Sequence, residues 1–240
     1  MSLGTSAALR AITRRPMDAP ARGLWCYVLD EKHWVVGGAS NNGAYLNMWF
    51  LSRLKDTGAH SNQADAFLMK DGLKPTGLLF YPYLRGERSL QWNSHWRGAL
   101  LGLENSHTGL DILQSGMEGV AFHLKSMAGA VRQAAGAGKR ATPIVCSGGG
   151  LGWKSFGHLL ANVFGEPMLV HKILDTSARG ACIMAQKALG YLASLEDAKD
   201  APALYRKVSP AAARVPYYRA VGALRSELSE SLEKTVVALA

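Results

Sequence analysis

Leu113, Met117, Val120, Leu124, Met127 and Val131 recur at alternating steps of four and three. That spacing lines one face of a helix with 3.6 residues per turn. Thr108 stands where an N-cap would, Asp111 falls in the first turn, and Gly136 and Gly138 stop the run. Phe156, Leu159, Leu160 and Val163 predict a second amphipathic helix. Thr176 or Ser177 can cap a third, running through Leu192. Pro216 opens a last one, with Val221, Leu224, Leu228 and Leu232 on one face.

Shorter apolar runs predict strands. Leu24–Leu29 and Trp34–Val36 are rich in aromatic and β-branched residues, and Asp30-Glu31-Lys32-His33 joins them as a hairpin. Gly4–Thr13 reads as a strand that starts at a turn of small hydroxyl residues. Gly37–Asn42 reads as a tight turn that leads into a helix over Tyr45–Leu54. Leu78–Tyr81, Ala99–Leu103, Pro143–Cys146 and Met168–Val170 read as buried strands. Three stretches lack a period. Residues 56–76 read as a surface loop with one short helix near Asp65–Met69, Tyr83–Arg97 as an irregular loop, and 195–209 as charged and irregular. Strand and helix alternate through the second half, which argues an α/β layered domain. No linker or repeat interrupts it, so 1–240 is expected to be one domain, with 195–240 as a C-terminal helical extension.

Composition narrows the class without fixing it. Of 240 residues, 48% are hydrophobic and 19% charged, an ordinary globular balance. No apolar run is long enough to span a membrane, and the start does not read as a secretory signal. A cytoplasmic protein is the expectation. Cys26, Cys146 and Cys182 are far apart and odd in number, which suggests buried free thiols rather than disulfides or a zinc site. The histidines lack metal-ligand spacing, and His107 and His123 read as hydrogen-bonded structural residues. The net charge of +9 is dispersed, the densest groups being Arg14-Arg15 and Lys139-Arg140. Nucleic acid is therefore not an expected partner.

Three turns of small residues carry the candidate chemistry: Gly4-Thr5-Ser6, Gly37-Gly38-Ala39-Ser40 and Gly148-Gly149-Gly150-Leu151-Gly152. Exposed backbone amides at such turns, with a helix dipole behind them, suit phosphate. Each taken singly reads rather as a tight strand-to-helix turn, and it is the presence of three in one domain that points to a nucleotide. Neither common nucleotide motif fits, because Trp153 stands where a dinucleotide fingerprint needs glycine and interrupts a Gly-Lys-Ser P-loop.

Several ordered motifs resemble the C-terminal domain of the FGGY carbohydrate kinases. They are Leu3-Gly4-Thr5-Ser6; Gly38 to Asn42; Pro82-Tyr83-Leu84-Arg85-Gly86-Glu87-Arg88 with Trp92-Asn93; Gly98 to Glu118; Ser147 to Gly150 through Ala161-Asn162-Val163-Phe164-Gly165; and Gly180-Ala181-Cys182. The segment Trp25–Gly38 is closest to the gluconate kinases of that family. Gly116, Ser89-Leu90 and Leu151 depart from the pattern.

The resemblance implies an actin-like ATPase (ribonuclease H-like) fold, a mixed sheet flanked by helices. It implies ATP with Mg²⁺ as cofactor, the metal carried by the phosphates. Gly4, Thr5 and Ser6 would form the second phosphate loop. Gly38 and Asn42 would sit near the nucleotide, Gly148, Gly149 and Gly150 would hold adenosine, and Lys154 would make a polar contact. The base Asp and the sugar site would belong to an N-terminal lobe missing from these residues. No carboxylate here matches that base. Glu87 and Glu118 are expected to be structural, Glu87 pairing with Arg88 or Arg97. The chain would then be inactive alone, and its cleft face could join a second copy as a homodimer. The competing reading is a stand-alone actin-like module that binds nucleotide or a partner without chemistry.

Overall fold

A computed structural model describes residues 1–17, 23–54, 61–136, 143–173 and 175–238. Gly138, the Lys139-Arg140 pair and residues 56–60 lie outside them.

The first sheet has the order β1-β2-β4-β3, built from β1 (Ser2–Leu3), β2 (Ala7–Thr13), β3 (Trp25–Val28) and β4 (Trp34–Ser40), antiparallel throughout. The expected hairpin is β3–β4. Its turn is closed by Asp30, whose carboxylate accepts from His33 Nδ1 at 2.7 Å and from the Lys32 amide at 2.9 Å. The expected turn at Gly37–Asn42 is corrected: β4 continues to Ser40, so Gly37 and Gly38 are strand residues paired with Arg10 and Leu9. A short strand also precedes the Gly4–Ser6 turn, which lies between β1 and β2.

α1 (Tyr45–Arg53) follows, then α2 (Ser61–Lys70), twice the length of the Asp65–Met69 helix expected there. β5 (Leu79–Tyr81) and β6 (Ala99–Leu101) form a two-stranded ribbon. β6 stops short of Leu103 because Gly102 turns the chain at φ +84°.

α3 (Gly109–Ala134) is the spine of the molecule, and all six residues of its predicted face are at most 1% exposed. Thr108 and Asp111 form a capping box, the side chain of each taking the other's backbone N–H, which satisfies two otherwise orphaned donors. Gly136, at φ +63°, ends it.

The second sheet is β7 (Ile144–Cys146), β8 (Met168–His171) and β9 (Tyr205–Val208). β7 and β8 are parallel, joined by α4 (Lys154–Phe164), and β9 is antiparallel to β8. β9 lies in the segment expected to be irregular. Its sequence, Tyr-Arg-Lys-Val, lacks apolar alternation because only Val208 is buried. The mixed sheet is thus present, and part of the 195–240 region belongs to it.

α5 (Thr176–Ala188) is capped by Asp175, whose carboxylate takes the Ala178 amide at 2.9 Å, and not by Thr176 or Ser177. It ends before Leu192, at Leu189 and Gly190 (φ +78°). α6 (Val215–Ala238) packs through Tyr218, Arg225 and Val236. Leu224, expected on its apolar face, is 46% exposed, because Tyr218 and Arg225 rotate the helix to reach Glu118 and the Phe80 carbonyl. No helix among the described residues is long and apolar enough to cross a membrane.

Candidate nucleotide site

The two sheets meet where the first strand ends. β1 is antiparallel to β2, and Ser2 bridges Ser147 in parallel, so β1 lies between β2 and β7. Leu3 N–H donates to the Ser147 carbonyl at 2.8 Å, and Ser147 N–H donates to Met1 at 3.0 Å. The Gly4–Ser6 turn and the Ser147–Gly152 turn therefore emerge side by side. The loop between β4 and α1 closes on both, since Ala44 N–H donates to the Gly4 carbonyl at 2.8 Å.

Two glycines permit this approach. A Cβ on Gly43 would lie 2.6 Å from the Ser6 carbonyl carbon and 2.7 Å from the Gly4 oxygen. A Cβ on Gly150 would lie 2.5 Å from Ala44 Cβ and 2.9 Å from Leu3 Cγ. Glycine lets the three loops touch through their main chains. Gly43 was not among the sequence-predicted site residues. Its signal was available in Ser40-Asn41-Asn42-Gly43, a turn composition directly before a helix.

The predicted residues divide into two groups. Thr5, Ser6 and Gly149 are exposed at the meeting point, with Gly4 and Gly148 partly exposed beside them and Gly150 buried beneath. A Cβ on Gly149 would touch nothing within 4 Å, so the space above it is open. Lys154 is exposed on the first turn of α4.

Gly38 and Asn42 belong inside the fold. Gly38 is buried in β4 against Met127 of α3, whose Cγ would be 3.0 Å from an added Cβ. Asn42 is fully buried. Its amide donates to the Gly86 carbonyl at 2.7 Å and to Glu87 Oε2 at 3.1 Å, and its Oδ1 accepts from Arg85 N–H at 3.3 Å. It ties the 82–88 loop to the β4–α1 loop.

Glu87 anchors the same tie. It accepts from Ser40 Oγ at 2.6 Å and from the Arg88 amide at 2.7 Å, and faces His123 Nε2 at 3.5 Å. The expected arginine side-chain partner is corrected: the side chain that faces Glu87 is His123, on α3. Burial pushes the Glu87 pKa up, but His123, Ser40 and Asn42 outweigh it and hold the carboxylate below its ordinary range.

Glu118 lies deeper, accepting from Gln114 Nε2 and Tyr218 OH, both at 2.8 Å. Burial raises it to about 7, the hydrogen bonds from Gln114 and Tyr218 pulling partly back. His107 also has a structural role, bonded to the Glu104 amide and the Thr76 carbonyl, both at 2.8 Å.

The N-terminus of α4 is occupied from within. Asp65 on α2 accepts from the amides of Lys154 and Ser155, both at 2.9 Å, and from the Ser155 hydroxyl. An anion at this site would therefore meet the loop amides and the Thr5 and Ser6 hydroxyls rather than the end of α4. Among the described residues no group of three or more His, Cys, Asp or Glu could cage a metal ion.

Residues 1–189 match the FGGY family of carbohydrate kinases, C-terminal domain. The gluconokinase of Bacillus subtilis (strain 168) is 28% identical over the whole chain, which covers 48% of that protein. The gluconate kinase of Lactobacillus acidophilus superposes with a TM-score of 0.84 at 26% identity, over 100% of this chain and 48% of the other. A ligand-bound xylulose kinase from the same organism gives a TM-score of 0.83 at 25% identity with the same coverage. The chain thus spans about half the length of the relatives it matches, in the actin-like fold those kinases share. It belongs to the FGGY family of carbohydrate kinases, as a C-terminal domain.

Proposed function

We propose that this chain is the nucleotide-holding lobe of an ATP-dependent carbohydrate kinase, and that the acceptor is a sugar acid, gluconate. One observation carries the nucleotide reading: three loops converge so that the Thr5 and Ser6 hydroxyls and the open space over Gly149 share one surface. Hydroxyls and loop amides suit the terminal phosphates, and a glycine surface lets adenosine approach the main chain. Lys154 would add a positive charge at the rim. Mg²⁺ would arrive with the phosphates and neutralise their charge as the γ-phosphoryl moves. The residues fit that role, since the turns offer exposed hydroxyls and backbone amides that can bind phosphate.

The acceptor rests on the gluconate kinases matched over the full chain. Phosphoryl transfer needs a positioned hydroxyl and a base in addition to the nucleotide. Those would come from a second lobe, with closure excluding water.

Isothermal titration of Mg-ATP into the chain tests the nucleotide site. Thr5→Ala should weaken binding by roughly tenfold, the loss of one hydrogen bond to a charged group. Gly149→Val should abolish it while leaving the melting temperature unchanged, because the added atoms face open space. If both variants bind as tightly as the parent, nucleotide does not bind at these turns.

A further inference from the structure

Arg225 is a buried cation without a counter-charge. It lies on α6 and is 7% exposed. Its Nη1 donates to the Phe80 carbonyl at 2.6 Å, and its guanidinium carbon sits 4.0 Å from the centre of the Tyr81 ring. Its Nη2 has no hydrogen-bond partner. Burial raises the pKa of Tyr83, and the charge of Arg225 pulls it partly back, so the phenol is a near neighbour that stays neutral. The Tyr83 hydroxyl is hydrogen-bonded with His123 Nδ1 at 3.3 Å. A guanidinium keeps its charge at any ordinary pH, and a buried charge is costly unless an opposite charge meets it.

The same arginine lines a cavity of about 320 Å³ between α3 and α6. That size falls at the lower end of the range for small-molecule pockets, about 300–1,000 Å³. Lys125 of α3 and Arg219 of α6 line it too, and among the described residues its lining includes no Asp or Glu. Gly222 puts no side chain into the space. Lys125 spends one of its three donors on the Val163 carbonyl, at 2.7 Å. Burial lowers the Lys125 pKa and Arg219 lowers it further, Glu166 opposing them from outside the lining. Glu87, behind His123, is turned to Ser40 and Asn42. The fold therefore holds three like charges around one opening and supplies no anion to it. Ser126, Ser226 and Ser229 also line the opening. Their hydroxyls bond back to carbonyls of their own helices, and each can turn to a ligand.

We propose that this cavity binds a phosphate group, free or carried on a small metabolite, held by Lys125, Arg219 and Arg225. A phosphate brings close to two negative charges and three strong acceptor oxygens, which matches three cations better than a single carboxylate does. Arg225 is buried and would meet the phosphate deep in the cavity; Arg219 is exposed and would meet it at the mouth. The lining shares no residue with the turns at 4–6 and 148–152, so the inference stands apart from the nucleotide reading.

Isothermal titration with inorganic phosphate, and separately with glucose 6-phosphate, tests it. Chloride holds the ionic strength constant, so that general screening does not change between samples. The parent chain should bind at a single site. Lys125→Gln combined with Arg219→Gln should weaken binding at least about tenfold, and Arg225→Met should abolish it. Arg219→Gln alone, at an exposed position, keeps the test decisive if Arg225→Met fails to fold, and should weaken binding several-fold. Gly149→Val should bind as the parent does, because the glycine turn lies outside the cavity. Binding that the cavity variants weaken supports the site, and the tighter of the two probes tells whether the phosphate is free or carried. No binding of either probe by the parent would overturn the proposal. So would equal binding by the parent and the Lys125→Gln, Arg219→Gln variant, which would make Arg225 a structural residue only. Loss of binding in Gly149→Val would overturn it as well, by locating the anion at the turns.

Discussion

Glu87 and Glu118 are both buried, yet their carboxyls sit in opposite regimes. Glu87 has the His123 ring across from it and accepts three hydrogen bonds, which hold its pKa below the ordinary value. Glu118 has two neutral donors and no cation, so burial dominates and its pKa rises from 4.5 to about 7. From pH 4.5 to about 7 the folded chain holds a proton that the unfolded chain has released. Stability therefore falls as pH rises through that window, by roughly 3 kcal/mol from this group alone. Glu118→Gln removes the titration while keeping an oxygen for Gln114 and Tyr218. Its melting temperature should match the parent's near pH 5 and exceed it at pH 8. Calorimetric melts of both proteins across that range check the sign, and parallel curves would refute the raised pKa. That these two acids are structural was legible in the sequence. Their partners were not: His123 and Tyr218 come from helices 36 and 100 residues further along, and no local spacing encodes that approach.

At the scale of elements, α3 was readable because its large apolar residues recur with a 3.6-residue period, although residues 113–124 are buried on every side. β9 was not, because it borders solvent and carries arginine and lysine where a strand pattern would alternate. β4 was cut short because Gly37 and Gly38 look like a turn, whereas Trp25 and Met127 pack where their side chains would be. α4 shows a third case. Its first residue has no capping side chain of its own. The cap is supplied across space by Asp65, which binds two backbone amides and a hydroxyl. Asp65→Ala should therefore cost about 1–2 kcal/mol, the usual value of a lost N-cap, although Asp65 belongs to another helix. Denaturant melts give the magnitude, and faster exchange of the Ser155 amide locates the loss. The same substitution would uncover the α4 N-terminus beside the glycine turn, so Mg-ATP affinity should stay level or rise. A fall in affinity with the fold intact would mean that Asp65 takes part in binding.

For the molecule as a whole, the phosphate surface and the means of chemistry are separable. The proposed surface lies within these residues: backbone hydrogen bonds bring the turns that carry Thr5, Ser6 and Gly149 side by side. Three acids near these turns are committed elsewhere, Glu87 and Glu118 in the interior and Asp65 at α4. General-base assistance contributes about 10²–10⁴-fold, and positioning of the acceptor contributes more. A lobe that binds Mg-ATP without either should show no acceptor-dependent turnover. A coupled ADP assay on the chain alone should give the same rate with gluconate, with xylulose and with no sugar. Adding an N-terminal lobe from a gluconokinase relative, in line or in trans, should raise the rate with gluconate by orders of magnitude and with xylulose by less. If xylulose gains more, the acceptor assignment fails while the nucleotide assignment stands. If neither gains and Mg-ATP still binds, the chain is a binding module that keeps the kinase surface without its reaction.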